Sequence, residues 1–337
     1  KSLTKINFIA TLLSGSIAVY LAYSGYGVWA LVIQTLTRSF LMTALMWYMV
    51  SWKPKLIFSR TSFKDLFSFG SKLLISSLLG QLVNNFYSLF IAKYISTKDL
   101  GYYTRGTQFA DVTFSIINSI LDRVLLPLLA PMQKQMEVLT KNTQSIIKAS
   151  ALLVVPIFLF LSLMARPLII VLLTEKWLPA VPIMQLLCVA RMVTIISGIN
   201  INILYVLGRT DLALKQQYFK IAIRVFFLIA ALKFGIVYIA LAELVSTIIH
   251  FFINTYYPGR IMSYGALSQI KDMRYIFLSG GLMVLFTYFA IYYIDNEVIK
   301  IIVAAIVALF IYIGSLVIFK VPELYLIRDR TKKFFIK

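Results

Sequence analysis

The sequence predicts an all-α integral membrane protein with about ten transmembrane helices, and two observations support this fold class. Of the 337 residues, 60% are hydrophobic and only 14% are charged, with a mean hydropathy of +0.86. Soluble domains are about half apolar and about a quarter charged. Apolar stretches of about 18 residues or more, enough to cross a hydrocarbon core of roughly 30 Å, recur from end to end. An ordinary soluble fold is therefore excluded.

Ten segments are apolar and long enough to be spans. We predict them at residues 6–24, 28–50, 69–92, 107–130, 146–166, 181–207, 217–234, 236–257, 275–294 and 298–319. The connections at Gly25–Gly27 and Lys233–Gly235 are short, so the helices on either side of each should pack as antiparallel pairs. No stretch between spans much exceeds about 20 residues, which leaves no room for a soluble catalytic domain.

The basic residues indicate the orientation in the membrane. A net charge of +20 would suggest nucleic acid as a partner of a soluble protein, but here lysine and arginine concentrate in short loops. Loops on one side carry about 19 of them and loops on the other about six, and basic loops stay cytoplasmic. We therefore predict a multi-pass membrane protein with both termini cytoplasmic and no nucleic-acid partner.

Polar residues recur every three or four positions within several predicted spans. A charge at the bilayer centre costs about 2.5–3.5 kcal/mol, so such residues usually face water or a partner. This spacing places each set on one helix face. The third span carries Lys72, Ser76, Gly80, Gln81, Asn84 and Ser88; the fourth, Gln108, Asp111, Ser115, Asn118 and Asp122; the sixth, Arg191, Thr194, Gly198 and Asn202; the eighth, Glu243, Thr247, His250 and Asn254.

Such faces predict an aqueous cavity between helices, richer in basic than in acidic side chains and so suited to an anionic ligand. The candidate ligand-binding residues are Arg38, Lys72, Gln81, Asn84, Asn118, Arg191, Asn202, Lys220 and Arg224. The candidates for binding a coupling Na⁺ or H⁺ are Asp111, Asp122 and Glu243. The alternative is that these groups only hydrogen-bond one helix to another. Cys188 is the only cysteine, which excludes a disulfide framework and a cysteine metal site, and we predict no catalytic residue, metal or cofactor.

Four segments resemble the polysaccharide-transporter, or O-antigen flippase, branch of the multidrug/oligosaccharidyl-lipid/polysaccharide exporter superfamily. They are SGYGVWALVIQ at 24–34, LGYYTRGTQFAD at 100–111, EKWLPAVPIMQLLCVA at 175–190 and LYVLGRTDLALK at 204–215. They occur in order over nearly the whole chain, although Thr174 stands where the family often has glycine. The resemblance implies a MATE-like architecture of two six-helix lobes and two further helices. About 130–150 residues with four helices are then expected before Lys1.

The domains expected from this resemblance follow the hydropathy pattern. Residues 1–50 would end the first lobe, 51–68 would form a cytoplasmic amphipathic linker, and 69–257 would form the second lobe. Basic and aromatic residues mixed within 51–68 are typical of an interfacial helix. Residues 258–337 would hold two peripheral helices, which lack internal charge, and a basic cytoplasmic tail.

The resemblance also implies a function without covalent chemistry. A flippase in a bacterial inner membrane would move an undecaprenyl-pyrophosphate-linked oligosaccharide from the cytoplasmic to the periplasmic leaflet by alternating access, coupled to an ion. The product would serve O-antigen, capsule or exopolysaccharide synthesis. Its partners would be lipid-linked oligosaccharide, membrane lipid, a polysaccharide polymerase and other assembly proteins. One alternative is a drug or metabolite antiporter of the same superfamily. The other alternative is a membrane polymerase or ligase, which should have a sizeable periplasmic loop with catalytic Arg and His. In this sequence the longest predicted periplasmic loops are about 15 residues and contain no histidine.

Overall fold

A computed structural model describes residues 2–27, 29–49 and 58–323. These residues form eleven α-helices, three short 3-10 helices and no strand. The α-helices are α1 (Ser2–Tyr23), α2 (Trp29–Met49), α3 (Arg60–Tyr94), α4 (Thr97–Leu129), α5 (Met136–Leu163), α6 (Ala165–Leu173), α7 (Val181–Val206), α8 (Thr210–Ala231), α9 (Ile236–Met262), α10 (Ala266–Ile291) and α11 (Glu297–Ile318). The predicted all-α class is confirmed.

Eight helices in the described part of the chain are long and apolar enough to cross a membrane: α1, α2, α4, α5, α7, α9, α10 and α11. The other two predicted spans fall on α8, which is long enough but more polar, and on α3, many of whose side chains lie outside the described residues. The physical reason is plain in α8, whose 22 residues include Lys215, Lys220 and Arg224. Eight helices therefore qualify by length and composition among the residues that the structure describes, and the span predicted on α3 stays a prediction.

The chain divides into two compact units, Lys1–Lys64 and Asp65–Lys337. In the first unit, α1 and α2 pack against each other. The turn between them includes Gly25 at φ 85° and Gly27 at φ 51°, values that glycine adopts without a Cβ clash. Residues 51–57 of the predicted linker lie outside the described residues, and α3 begins at Arg60. The domain boundaries stay a prediction.

In the second unit, α7 forms the centre and packs against α4, α5 and α9. It buries apolar side chains along most of its length, among them Ile183, Leu187, Ile195, Ile199 and Ile203. The close approach of α4 depends on Gly106, where a Cβ would lie 2.8 Å from the Ile183 side chain and 2.9 Å from the Ala180 carbonyl oxygen. The missing side chain lets the polar face of α4 reach α7.

The last two long helices extend this unit. α10 packs against α5 and α11 packs against α10. The Tyr312 hydroxyl of α11 donates to the carbonyl of Leu152 in α5 at 2.9 Å. At the start of α10, the side-chain amides of Gln269 and Asn200, on α7, exchange two hydrogen bonds of 2.7 and 3.1 Å, and both residues are buried. These contacts hold α10 and α11 against the helices that carry the polar faces.

Candidate functional site

The polar faces of α4, α7 and α9 meet around one arginine. Arg191 Nε donates to Asp111 Oδ1 at 2.6 Å, and its Nη1 donates to Glu243 Oε1 at 2.6 Å. The Tyr103 hydroxyl donates to Glu243 Oε2 at 2.7 Å. We call these four residues the charge cluster. It joins three helices through side chains that are far apart in sequence.

Burial makes the charge cluster energetically important. The Glu243 side chain is 6% exposed and that of Arg191 is 16% exposed, whereas that of Asp111 is 47% exposed. Charges removed from water need close opposite charges and hydrogen bonds to offset the desolvation. The planar guanidinium supplies two directed donors for this purpose. Arg191 is therefore neutralised by two carboxylates, one deeply buried and one half exposed.

A cavity of about 420 Å³ opens beside the charge cluster. We call it the ion-paired cavity. Its walls come from α4, α7, α8 and α9, and they carry two arginines and two carboxylates, so the formal charges balance. The lining residues are Tyr103, Thr104, Thr107, Asp111, Phe114, Ser115, Arg191, Thr194, Arg224 and Glu243.

A second, smaller cavity of about 160 Å³ lies between α7, α8 and α9. We call it the basic cavity. Lys220 and Arg224 contribute positive charge, and its described lining includes no acidic side chain. Thr194 and Arg224 line both cavities, so the two spaces adjoin. The other lining residues are Ser197, Gly198, Ile201, Gln217, Ile221, Thr247, His250 and Asn254.

Polar contacts fix the walls of the basic cavity. His250 Nε2 lies 3.0 Å from the Lys220 carbonyl oxygen, and because a carbonyl only accepts, that nitrogen carries the proton. Asn254 Nδ2 donates to Ser197 Oγ at 2.7 Å, which ties α9 to α7. Among the described residues, the Lys220 ammonium forms no ion pair. The basic cavity thus contains an ammonium group among polar side chains that are hydrogen-bonded to neighbouring helices.

The structure brings five predicted site residues together: Asp111, Arg191, Lys220, Arg224 and Glu243 all line one or both cavities. Asn118, Asp122 and Asn202 line neither cavity. Asn118 donates to Asp122 Oδ2 at 2.7 Å along α4, and Asn202 donates to the Gly198 carbonyl along α7 at 3.2 Å. Arg38 is an exposed residue of α2, in the first unit. The side chains of Lys72, Gln81 and Asn84, on α3, lie outside the described residues.

The sequence analysis missed several lining residues, including Tyr103, Thr107, Phe114 and Gln217. Tyr103 and Thr107 precede Asp111 by eight and four residues, so the same helical spacing extends the polar face of α4 to them. Gln217 precedes Lys220 by three residues and so falls on the same face of α8, whereas Phe114 carries no comparable signal. Within the part of the chain that the structure describes, no three His, Cys, Asp or Glu side chains come together as a metal site would require.

Comparison with known proteins gives consistent matches. Residues 1–182, more than half of the chain, match the family described as "Polysaccharide biosynthesis protein". The teichuronic acid biosynthesis protein TuaB of Bacillus subtilis is 29% identical over 63% of this chain and 44% of its own length. The lipopolysaccharide biosynthesis protein WzxC of Escherichia coli is 26% identical over 53% of this chain and 39% of its own.

The succinoglycan biosynthesis transport protein ExoT of Rhizobium meliloti is 25% identical over 55% of this chain and 37% of its own. Matches to these three proteins therefore cover less than half of their lengths. Among solved structures, the lipid II flippase MurJ in an inward closed conformation is similar with a TM-score of 0.68 over 94% of this chain and 66% of its own. At 14% sequence identity, that similarity concerns the fold.

Proposed function

Because the chain belongs to the polysaccharide biosynthesis protein family, we propose that it acts in a flippase for a lipid-linked oligosaccharide. The substrate would carry an undecaprenyl pyrophosphate and move from the cytoplasmic to the periplasmic leaflet by alternating access. The names of ExoT, a transport protein, and MurJ, a flippase, support this proposal. The protein would be a transporter rather than an enzyme.

The basic cavity is the observation that carries the proposal. Lys220 and Arg224 line it together, without an acidic side chain among its described walls. Both residues are half-buried, and partly buried cations attract an anion more strongly than exposed ones because their surroundings screen charge less. Pyrophosphate oxygens accept charge-assisted hydrogen bonds from both groups. We therefore assign the pyrophosphate of the carrier lipid to the basic cavity.

This assignment distinguishes between two of the residues predicted to bind an anionic ligand, Arg191 and Lys220. Arg191 already donates to Asp111 and Glu243, so it would have to give up an ion pair before it could contact a phosphate. Lys220 makes no such pair with the described residues. The basic lining also disfavours an antiporter for cationic drugs, which needs acidic groups in its cavity.

Coupling to H⁺ or Na⁺ belongs to the same proposal. Asp111 and Glu243 share Arg191, so a proton bound by either carboxylate weakens the contact of α7 with α4 or with α9. Proton binding would therefore alter the packing of these helices without making or breaking a covalent bond in the substrate. We place the protein in the inner membrane, and the distribution of lysine and arginine supports a cytoplasmic location for both termini of this chain. A polysaccharide polymerase and other assembly proteins would act on the translocated product.

The test is the variant Lys220→Gln, introduced into the gene in the bacterium that produces the polysaccharide. Loss of one charge-assisted hydrogen bond, about 1.5–3 kcal/mol, should weaken substrate binding at least about tenfold. We expect surface polysaccharide to fall and lipid-linked oligosaccharide to accumulate in the cytoplasmic leaflet. Lys220→Arg should retain part of the activity because it keeps the charge.

The matched control is Lys271→Gln, which removes an exposed lysine of α10. It should leave polysaccharide and lipid-linked oligosaccharide at normal levels. Membrane fractions are blotted to confirm equal protein amounts. Normal surface polysaccharide from a Lys220→Gln protein present at wild-type level would contradict the proposed function of the basic cavity.

A further inference from the structure

We propose that a notch between α7, α9 and α10 binds one anionic phospholipid of the cytoplasmic leaflet. An acyl chain of the lipid would lie in the notch, and the lipid phosphate would contact Arg260 and Arg274. This site lies outside the two cavities described above, and the inference does not depend on the proposed function.

The notch has a volume of about 170 Å³, and its described lining is entirely apolar. The three helices that form it are all apolar enough to cross a membrane, so the medium at its mouth is the hydrocarbon of the bilayer. Most small-molecule sites measure about 300–1,000 Å³, so the notch suits part of a chain rather than a whole small molecule. The lining includes Val193 and Ile196 of α7, Ile248 and Phe252 of α9, and Ile270 and Phe277 of α10.

One exposed face of α9 leads from the notch to a basic side chain. This face consists of residues four positions apart, all of them exposed: Ile248, Phe252, Tyr256 and Arg260. The guanidinium carbon of Arg260 lies 4.7 Å from the centroid of the Tyr256 ring, a contact that holds the cation at the end of the face. α9 ends at Met262, at the side that the distribution of basic residues predicts to be cytoplasmic.

The face of α10 that lines the notch carries a second arginine. Arg274 follows Ile270 by four residues and precedes Phe277 by three, so it shares their face, and it is exposed. Its guanidinium carbon lies 4.6 Å from the centroid of the Tyr275 ring, and its Nη2 donates to the Tyr275 hydroxyl at 3.1 Å. Side chains tilt toward the N-terminus of their helix, so Arg274 tilts toward the same predicted cytoplasmic side.

The turn between α9 and α10 keeps the two helix ends together. A Cβ atom on Gly259 would lie 2.7 Å from the Cα atom of Gly265, so the backbones approach more closely than any other residue at 259 would allow. Arg260 follows this contact directly. The two arginines therefore lie on adjacent helices that also form the notch.

The charges at this site select the head group. Neither Arg260 nor Arg274 forms an ion pair with the described residues, and the nearby Asp272 accepts a hydrogen bond from the Tyr264 hydroxyl at 3.0 Å. Basic side chains at the cytoplasmic ends of membrane helices bind anionic head groups, and a guanidinium can donate to two phosphate oxygens at once. A zwitterionic lipid carries its own ammonium, and free phosphate has no chain for the notch. An anionic phospholipid meets both requirements.

The experiment measures lipid binding to the purified full chain in detergent by mass spectrometry of the intact complex. The probes are phosphatidylglycerol, phosphatidylethanolamine and water-soluble glycerol 3-phosphate. We expect wild type to bind one phosphatidylglycerol at least about tenfold more tightly than either other probe. The double variant R260Q/R274Q should lose the preference over phosphatidylethanolamine, and R260K/R274K should keep most of it because the charges remain.

A second substitution tests the notch. Ile270→Trp fills it from an exposed position, and because each buried methylene group contributes about fourfold to affinity, loss of two such contacts should weaken phosphatidylglycerol more than about tenfold. Leu285→Trp makes a similar change at an exposed position of α10 outside the notch and should bind as wild type does.

The control for the arginines is K134Q/K141Q, which removes two exposed basic side chains elsewhere on the predicted cytoplasmic side. It should bind phosphatidylglycerol as wild type does. Thermal unfolding without lipid verifies the fold of each variant. Added phosphatidylglycerol should raise the unfolding temperature of wild type and leave that of R260Q/R274Q unchanged, because only a ligand of the folded state stabilises it.

Equal wild-type affinity for phosphatidylglycerol and phosphatidylethanolamine would mean that the notch holds annular lipid only, and it would overturn the inference. A preference that persists in R260Q/R274Q, normal binding by Ile270→Trp, or equally tight binding of glycerol 3-phosphate would overturn it as well. These results do not bear on the proposed function, because none of the substituted residues lines the basic cavity or the ion-paired cavity.

Discussion

Replacing Arg191 with glutamine should lower the free energy of unfolding by about 3–5 kcal/mol, the range found when one partner of a buried ion pair is removed. The reason is Glu243, which is almost fully buried and would lose the charge that offsets its desolvation. Asp111 contributes less, because its half-exposed side chain can be hydrated. Thermal unfolding of the detergent-solubilised protein, with its level in the membrane, measures the effect.

The matched control for this prediction is Arg105→Gln. Arg105 lies on α4, and its hydrogen bond to Gln108 is exposed, so we expect little change in unfolding temperature. The double variant R191Q/E243Q should recover part of the lost stability, because it removes the orphaned carboxylate together with its partner. If R191Q were as stable as R105Q, the charge cluster would not hold α4, α7 and α9 together.

Replacing Gln269 with leucine should lower the free energy of unfolding by about 2–4 kcal/mol. The change leaves the buried amide of Asn200 without either of its bonds to Gln269, and the Tyr264 carbonyl without the 3.2 Å bond from Gln269 Nε2. Each buried polar group left unsatisfied costs about 1–3 kcal/mol. Thermal unfolding of the purified variant in detergent would show the loss.

Two further variants serve as controls for the Gln269 prediction. Gln133→Leu has the same chemical change at an exposed position and should be close to wild type. N200L/Q269L removes both amides and should be more stable than Q269L alone, since apolar groups can replace a hydrogen-bonded pair nearly neutrally. A Q269L protein with wild-type stability would mean that this amide pair does not contribute to the packing of α10 on α7.

Helical spacing was sufficient to predict which faces of α4, α7 and α9 are polar. Asp111, Arg191 and Glu243 each belong to a set repeated every three or four residues, and the structure brings these sets together. Spacing could not predict the partner of each residue. Arg191 bonds to side chains 80 and 52 positions away, and those contacts depend on how three helices pack.

The same spacing also led to candidates that form only local contacts. Asn118 and Asp122 are four residues apart on α4 and hydrogen-bond to each other, and Asn202 bonds to the Gly198 carbonyl four residues before it. An interval that marks one helix face is also the interval at which neighbours on a helix interact. A polar stripe therefore predicts a shared face, while the choice between a cavity and a local bond requires the packed structure.

The polarity of α8 has a consequence for how the chain enters the membrane during synthesis. The translocon inserts a segment into lipid more readily the more apolar the segment is. Because its 22 residues include Lys215, Lys220 and Arg224, α8 should insert poorly by itself. The very apolar α9 follows after only the short 3-10 helix Leu232–Phe234 and Gly235. We expect α8 to enter as one hairpin with α9. Glycosylation mapping should detect insertion of α8 when α9 follows it, and failure of insertion when α8 is presented alone.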